Sequence, residues 1–559
     1  MRIAPVLTVL LLTLPVLAGL AGMVVPAFGY FPAIGAEHTS LAAFRALLDW
    51  PGFGPALRLS ATTGIAATLL SLMVTVLILS AWSGTRAFHW IERALSPLLS
   101  VPHAAAAFGI AFLIAPSGWI ARALSPWLTG WDRPPDLLIV QDPWGIAMVL
   151  GLVAKEVPFL LLMALAALPQ CQPNRSLTLA QAMGYGRMAA WLKLILPRLY
   201  PLIRLPVYAV LAYSMSVVDV ALILGPNTPP PLAVQVVRWM GAPDLTLRLT
   251  ASAGAVVQVG LVMAGLGLWR LAEGLVLGWC ARWAADGRRL AQDRLARLAA
   301  LALAGLSAGA IFAGIAGLAL WSVAGPWRFP NALPDLLTPG HWQRHGAGLI
   351  EPLTETVLIA AAATAIALVL VVFCLEAEQR FNLSKGRGAM WLLYLPLLIP
   401  QVAFLHGLQM LALGIGADMG RSAVIAAHLV FVLPYVMLSL DDPYNGWDRR
   451  QATVAAALGA GPSRVFWRLR LPMLLAPILT AAAVGFAVSV GQYLPTLLIG
   501  AGRVQTLTTE AVALSAGGDR RVIGIYALAQ TGVVILGFAA AIGLPRLVWA
   551  NRRGLRGAA

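Results

Sequence analysis

Ionisable and amide side chains set inside long apolar runs are the residues of this 559-residue sequence best placed to act on a solute. Lys155 and Glu156 adjoin within the run 145–168, Asp219 sits in SMSVVDVALILG, and the related phrase SVGQYLPTLLIG of the second half places Gln492 opposite Asp219. A charge at the centre of a bilayer costs about 3 kcal/mol or more, so each such residue is by default a candidate for lining a path through the membrane. Neighbours on a helix point about 100° apart, so Lys155 and Glu156 cannot face the same way. One would face a cavity and the other a neighbouring helix, or both would snorkel from a span end. Asp219 and Gln492 are expected to line the path, or else to be buried polar groups bonded to neighbouring helices. His406 and His428 suit satisfied structural positions better, and Glu355 suits the outer end of a span. These groups are scattered singly. A nucleophile and its base would have to cluster at one depth, and no set of His, Cys and carboxylates has metal-ligand spacing. Neither catalysis, a cofactor nor a fixed metal is expected.

A second kind of chemistry is mechanical, and it is written twice. Residues 178–201 read TLAQAMGYGRMAAWLKLILPRLYP and residues 453–477 read TVAAALGAGPSRVFWRLRLPMLLAP. Thr178 and Thr453 open the two copies. Gly184 and Gly459 follow, and Pro197 and Pro472 stand at the same distance beyond each glycine, all at an offset of 275 between copies. Ala180 and Ala182, like Ala455, Ala456 and Ala457, let a helix approach another protein closely. Gly184 and Gly459 can end that helix in a left-handed conformation at little steric cost. A second short helix follows, with Trp191, Lys193 and Arg198 in one copy and Phe466, Trp467, Arg468 and Arg470 in the other. Pro197 and Pro472 cannot continue a helix without losing a hydrogen bond, so each marks the entry to the next span. The pattern predicts a helix–turn–helix knob at the membrane surface, presented twice.

The elements that must carry these residues follow from composition. The chain is 60% hydrophobic and 11% charged, with a mean hydropathy of +0.81; soluble domains carry roughly 25% charged residues. Apolar runs long enough to cross a hydrocarbon core of about 30 Å recur throughout. The fold class is all-α, a polytopic membrane protein, with twelve spans near 6–28, 60–82, 95–117, 145–168, 205–225, 249–269, 298–321, 356–375, 390–413, 423–440, 474–499 and 523–544. The first run continues to about Tyr30 without a polar break, which favours a retained helix over a cleaved signal. Lys and Arg concentrate on the side of the N-terminus, including Arg282, Arg288, Arg289, Arg294 and Arg297 in the central loop and Arg546, Arg552, Arg553 and Arg556 in the tail. By the positive-inside rule both termini are cytoplasmic. The net charge of +16 is therefore mostly topology, and its spread over short loops argues against nucleic acid as a partner. Basic and acidic residues nearly balance on the opposite face, which leaves the sign of a solute open. Cys171, Cys280 and Cys374 lack CxxC spacing and are expected to stay reduced.

Six spans separate the two knobs, so both emerge on the same cytoplasmic face. The chain then divides into two parallel six-helix units, 1–281 and 282–559, joined through the basic stretch Ala281–Arg297, in which AADGRRLAQDRLARL has helical periodicity and reads as a solvated tether. Gly225–Met240 and Gly500–Leu514 hold equivalent places on the outer face, as outer gates or binding-protein contacts, or simply as loops with short re-entrant helices.

On these residues the sequence resembles the permeases of binding-protein-dependent ABC importers, whose EAA loop reads roughly E-A-A, three residues, G, then I/V-x-L-P. The second copy matches at Ala455, Gly459, Ala460, Pro462, Phe466, Trp467, Leu471 and Pro472, and the first at Ala180, Gly184, Trp191, Ile195, Leu196 and Pro197. Thr178 and Thr453 stand where the family has glutamate, which bears on one salt-bridge-type contact and not on the loop itself. The fused double unit is similar to ferric-iron and thiamine permeases. The resemblance implies that each loop docks on one of two cytoplasmic ATPase subunits, that a periplasmic binding protein delivers a small solute, and that the chain lies in a bacterial inner membrane. The absence of a GxxxxGK[ST] phosphate loop agrees with a transport subunit that hydrolyses nothing itself. The rival reading is a twelve-helix secondary transporter, which would need coupling-ion residues and no paired docking loops.

Overall fold

The computed structural model describes residues 3–381, 383 and 387–548. Arg552, Arg553 and Arg556 of the basic tail lie outside the described residues. In a bilayer every backbone N–H and C=O must find a partner within the protein, which leaves helices as the spanning element of this chain. Among the described residues nine helices are long and apolar enough to cross a membrane, or up to twelve if each of three bent pairs counts as one span. The first half contributes α1 (Ala4–Ala27), α2 (Phe53–Trp82), α3 (Arg86–Ser100), α4 (His103–Ile114), α5 (Ile146–Ala167), α6 (Pro173–Ala182), α7 (Arg187–Leu194), α8 (Leu196–Ser216), α9 (Asp219–Leu224) and α10 (Leu247–Ala285). The second contributes α11 (Arg294–Ser322), α12 (Gly340–Phe381), α13 (Arg387–Leu398), α14 (Gln401–Gly414), α15 (Arg421–Asn445), α16 (Arg450–Ala457), α17 (Leu475–Val490), α18 (Leu494–Gly500) and α19 (Arg520–Val548).

Four of the expected spans are interrupted. Run 95–117 divides between α3 and α4 at Val101–Pro102, and run 390–413 divides between α13 and α14 at Ile399–Pro400, where the axis bends by 80°. Each proline lacks an N–H and drives the preceding residue out of the helical region. Runs 205–225 and 474–499 break without proline, at Val217–Val218 and at Gly491–Tyr493. Here side chains take over the freed carbonyls. Gln258 of α10 donates to the Met215 carbonyl at 3.0 Å. Thr508 donates to the Val490 carbonyl at 2.6 Å, and Gln530 of α19 adds a 3.4 Å contact to the same oxygen.

The halves are held together by helices that cross from one to the other. α1 packs on α14, and α11 packs on α4. Glycines set both contacts: a Cβ added at Gly407 would overlap the Gly19 backbone, and one at Gly19 would overlap the Phe404 carbonyl. A Cβ on Gly109 would lie 2.8 Å from the Gly314 carbonyl carbon, and one on Gly314 would lie 2.9 Å from that of Gly109. With no hydrophobic effect between helices in lipid, close backbone approach of this kind is the main source of packing energy. At the end of the bundle away from the knobs, Arg122 donates to the carbonyls of Arg328 and Asn331 at 2.9 and 3.3 Å, and Arg520 donates to the Ser117 carbonyl at 3.1 Å. Overpacking a filled site costs about 1–3 kcal/mol or more. Gly407→Leu is therefore expected to collapse the yield of monodisperse protein after detergent extraction, whereas Gly532→Leu, with nothing within 4 Å, should leave it unchanged.

Candidate docking loops and membrane pathway

The two knobs share their local geometry. α6 ends at Gly184 with φ +85°, and α16 ends at Gly459 with φ +78°. In the first, Gly184 donates to the Gln181 carbonyl at 2.9 Å and Tyr185 to the Ala180 carbonyl at 3.1 Å. In the second, Gly459 donates to Ala456 and Ala460 to Ala455, both at 2.9 Å. Both are Schellman closures, in which the left-handed residue costs roughly 1–2 kcal/mol for anything but glycine. Thr178 and Thr453 face outward from their helices and bond back to the carbonyls of Asn174 and Arg449 at 2.9 and 3.4 Å. Beyond each glycine an aromatic side chain is fully buried as an anchor, Trp191 in one knob and Phe466 in the other. The apolar pairs Leu179 and Met183, and Val454 and Leu458, stay largely exposed on the outer faces of α6 and α16. Pro197 lies in the first turn of α8, whereas Pro472 lies in a one-turn segment ahead of α17. The second knob also carries a π-turn at Phe466–Arg470.

The knobs differ in what covers them. Ala281–Arg297 is not a free helical tether: α10 ends at Ala285, the chain runs without helix through Gly287 (φ +67°) and Leu290 (φ +41°), and α11 starts at Arg294. This segment is strapped to the first knob. The Arg289 carbonyl accepts from Gly186 at 2.9 Å, the Asp293 carboxylate accepts from Met188 at 3.0 Å, and Lys193 donates to Asp286 at 2.8 Å and to the Arg288 carbonyl at 3.0 Å. The Lys193 ammonium holds the Asp286 carboxyl below the usual carboxylate range, so the contact is complete at neutral pH and is lost only as pH falls through that lowered value. On the second knob, no described residue comes within 4 Å of a Cβ placed at Gly459 or Gly461.

The path candidates separate in the same way. Lys155 is buried and points to the end of α3, donating to the Leu98 and Val101 carbonyls at 3.0 and 2.6 Å. It neither snorkels nor faces a cavity; a cation there satisfies the negative end of a helix. Glu156, buried beside it, makes no such bond among the described residues. Asp219 is not mid-span but the first residue of α9, buried. Gln492 is not its partner in register. α18 begins at Leu494, so at the common offset Asp219 faces Leu494, and Gln492 matches Val217 in the interruption. The apparent likeness came from aligning two polar residues across a break. His406 and His428 are structural: His406 bonds Ser252 at 2.6 Å, and His428 bonds Ser489 and Thr496 at 2.8 and 2.9 Å, tying α17 to α18. Glu355 pairs with Arg421 at 2.8 Å, joining α12 to α15.

With this geometry in hand, the comparisons are decisive. The family described as "Binding-protein-dependent transport system inner membrane component" matches residues 377–548. The Inner membrane ABC transporter permease protein YnjC of Escherichia coli is 32% identical over 94% of this chain and 96% of its own length. The chain belongs to the ABC transporter permeases. Partial relatives include the Molybdenum transport system permease protein ModB of Mycobacterium tuberculosis, 31% identical over 29% of this chain and 68% of its own length, and the Putrescine transport system permease protein PotI of Escherichia coli, 26% identical over 32% and 66%.

In this permease the residues missed from sequence are those that hold the interruptions. Gln258 and Gln530 are fully buried and occupy the same phrase, AVVQVG and ALAQTG. That repeat within two apolar runs was the available signal. The first N–H of each short outer helix is likewise met from a spanning helix: Leu232 donates to Ser60 at 3.0 Å and Leu507 to Thr356 at 2.9 Å. Gly225–Met240 and Gly500–Leu514 thus each contain a short helix pinned at its start. Leaving a buried carbonyl unpaired costs about 1–3 kcal/mol. Gln258→Leu should accordingly lower the denaturation temperature of the purified permease, with Gln530→Leu less harmful because Thr508 still serves Val490. Lys193→Ala should release the strap, read as faster tryptic cleavage at Arg288 and Arg289 in native membranes. Unchanged cleavage would mean that the strap does not depend on this lysine.

Proposed function

We propose that this permease forms the translocation pathway of an ATP-driven importer and takes its motion from two cytoplasmic ATPase subunits, one docked on each knob. The observation that carries the reading is the paired Schellman closure at Gly184 and Gly459, each followed by a buried aromatic anchor and preceded by an exposed apolar pair. A surface built twice with the same register suits a partner that is itself present twice. Closure of such a partner pair would rock the knobs and alternate the access of the cavity between the halves.

Units 1–281 and 282–559 are read as two repeats, which the crossing of α1 onto α14 and of α11 onto α4 supports. A single chain then completes the pore. The distribution of basic residues places both termini and both knobs in the cytoplasm, and the opposite face receives a periplasmic binding protein carrying a small solute. Putrescine and molybdenum appear in the names of partial relatives, and neither is carried over to this chain.

Membranes containing the wild-type chain are expected to capture the ATPase encoded beside it, and Gly184→Asp with Gly459→Asp should abolish capture without loss of membrane insertion. Equal capture by the double variant would sink the docking assignment.

A further inference from the structure

Arg470 is the last residue of the π-turn in the second knob, and it is buried, turned into the bundle and away from the surface offered to a partner. There it pairs with the buried carboxylate of Glu376 on α12. Tyr444, fully buried on α15, donates to the same carboxylate at 2.7 Å. The Arg470 guanidinium also lies 5.4 Å from the centre of the Tyr444 ring and 4.5 Å from that of Trp447, just beyond α15. One turn along α12, Gln379 donates to Asn445 of α15 at 3.0 Å. One buried node thus joins the second knob to two spanning helices.

The first half has uncharged residues at the matching places. At the offset of 275 Arg470 corresponds to Ile195, which is fully buried. The shift that carries Thr356 onto Ser60, the two hydroxyls that hold the outer helices, carries Glu376 onto Ser80, which is buried and donates to the Leu77 carbonyl at 3.0 Å. The first knob still closes on the same left-handed glycine, so the ion pair is not what builds a knob. Stability does not explain it either, since a well-packed apolar pair commonly serves as well as a buried ion pair. What charge-assisted bonds add is a fixed orientation, where apolar surfaces could slide. The first knob is tied at another point. Its Lys193, bound to Asp286 just beyond α10, corresponds to Arg468, which is exposed. Each knob therefore sends one cation inward, from different positions and to different helices.

We propose that Arg470, Glu376 and Tyr444 are the positioning residues that pass movement of the second knob to α12 and α15, whereas the first knob moves α10 and α11 through its strap. The proposal rests on the importer reading above. The test is hydrogen–deuterium exchange of the full permease in nanodiscs with the ATPase encoded beside it, without nucleotide and with ATP plus orthovanadate. In the wild type, nucleotide should change exchange in the second knob, in α10 and at the Glu376 and Tyr444 ends of α12 and α15. Glu376→Gln with Arg470→Met removes both charges together, so no lone charge is left buried. This double variant should keep monodispersity, ATPase capture and the nucleotide response of the second knob and of α10, and lose the response of α12 and α15. Arg470→Lys, which keeps the charge, should retain most of it. A response of α12 and α15 as large in the double variant as in the wild type would overturn the proposal. So would loss of the knob's own response, which would make the node a scaffold for the knob. If the double variant is not recovered, Tyr444→Phe, which deletes one bond and no charge, must weaken the response of α15, and an unchanged response overturns the link. Wild-type capture with no response in α12 and α15 refutes the link alone, whereas absent wild-type capture refutes the importer reading and the link with it.

Discussion

A carbonyl freed inside a bilayer has no water to turn to, and the interruptions of this bundle exist because particular side chains meet that demand. α8 stops at Ser216 and α17 at Val490, in the middle of what would otherwise be continuous spans. Gln258 serves the Met215 carbonyl in one case, and Thr508 with Gln530 serves the Val490 carbonyl in the other. Without those bonds each break would cost several kcal/mol in lipid and the helix would run on. The position of Asp219 at the head of α9 follows from where the first ladder is allowed to end.

The same economy governs contact between the halves. Glycines at 19, 22 and 407, and at 109 and 314, leave room for backbones to touch, which matters because lipid offers apolar side chains as good a home as a neighbouring helix does. α1 and α11 consequently act as clasps, each belonging to one half by sequence and packing on the other. Ion pairs and guanidinium–carbonyl bonds near the ends, such as Arg122 on the segment after α11, hold what the clasps bring together.

Much of this was readable in the residues. Apolar runs report lipid directly, so the spans could be placed, and the twin Gly-to-Pro phrases reported a left-handed helix end that Gly184 and Gly459 adopt. Pro102 and Pro400 carried a visible signal for two of the interruptions. The breaks at Val217 and Gly491 had none in their own segments, because their cause lies on α10 and α19, far along the chain. The register of Asp219 against Gln492 was misjudged for the same reason: similarity of polar type was read across a point where the helix is not continuous. The linker misled through its periodicity. Its charged and apolar residues alternate as a helix would, but Gly287 and the contacts of Asp286 and Asp293 with the first knob hold it out of the helical conformation.

That strap makes the two knobs chemically unequal although both close on a left-handed glycine. Around Gly184 a guanidinium from Arg289 lies against the turn, and the Gly186 amide is already taken; around Gly459 the turn is bare among the described residues. Any pair of identical proteins seated on the two sites would meet a preassembled basic surface on one side and an unoccupied one on the other. Their affinities would split into a tighter and a weaker class, with opposite dependence on ionic strength at the strapped knob for acidic and basic partners. A dimer with internal symmetry would be bound asymmetrically, and any motion within it would pull on levers of different stiffness, one of them spliced directly into α10 and α11.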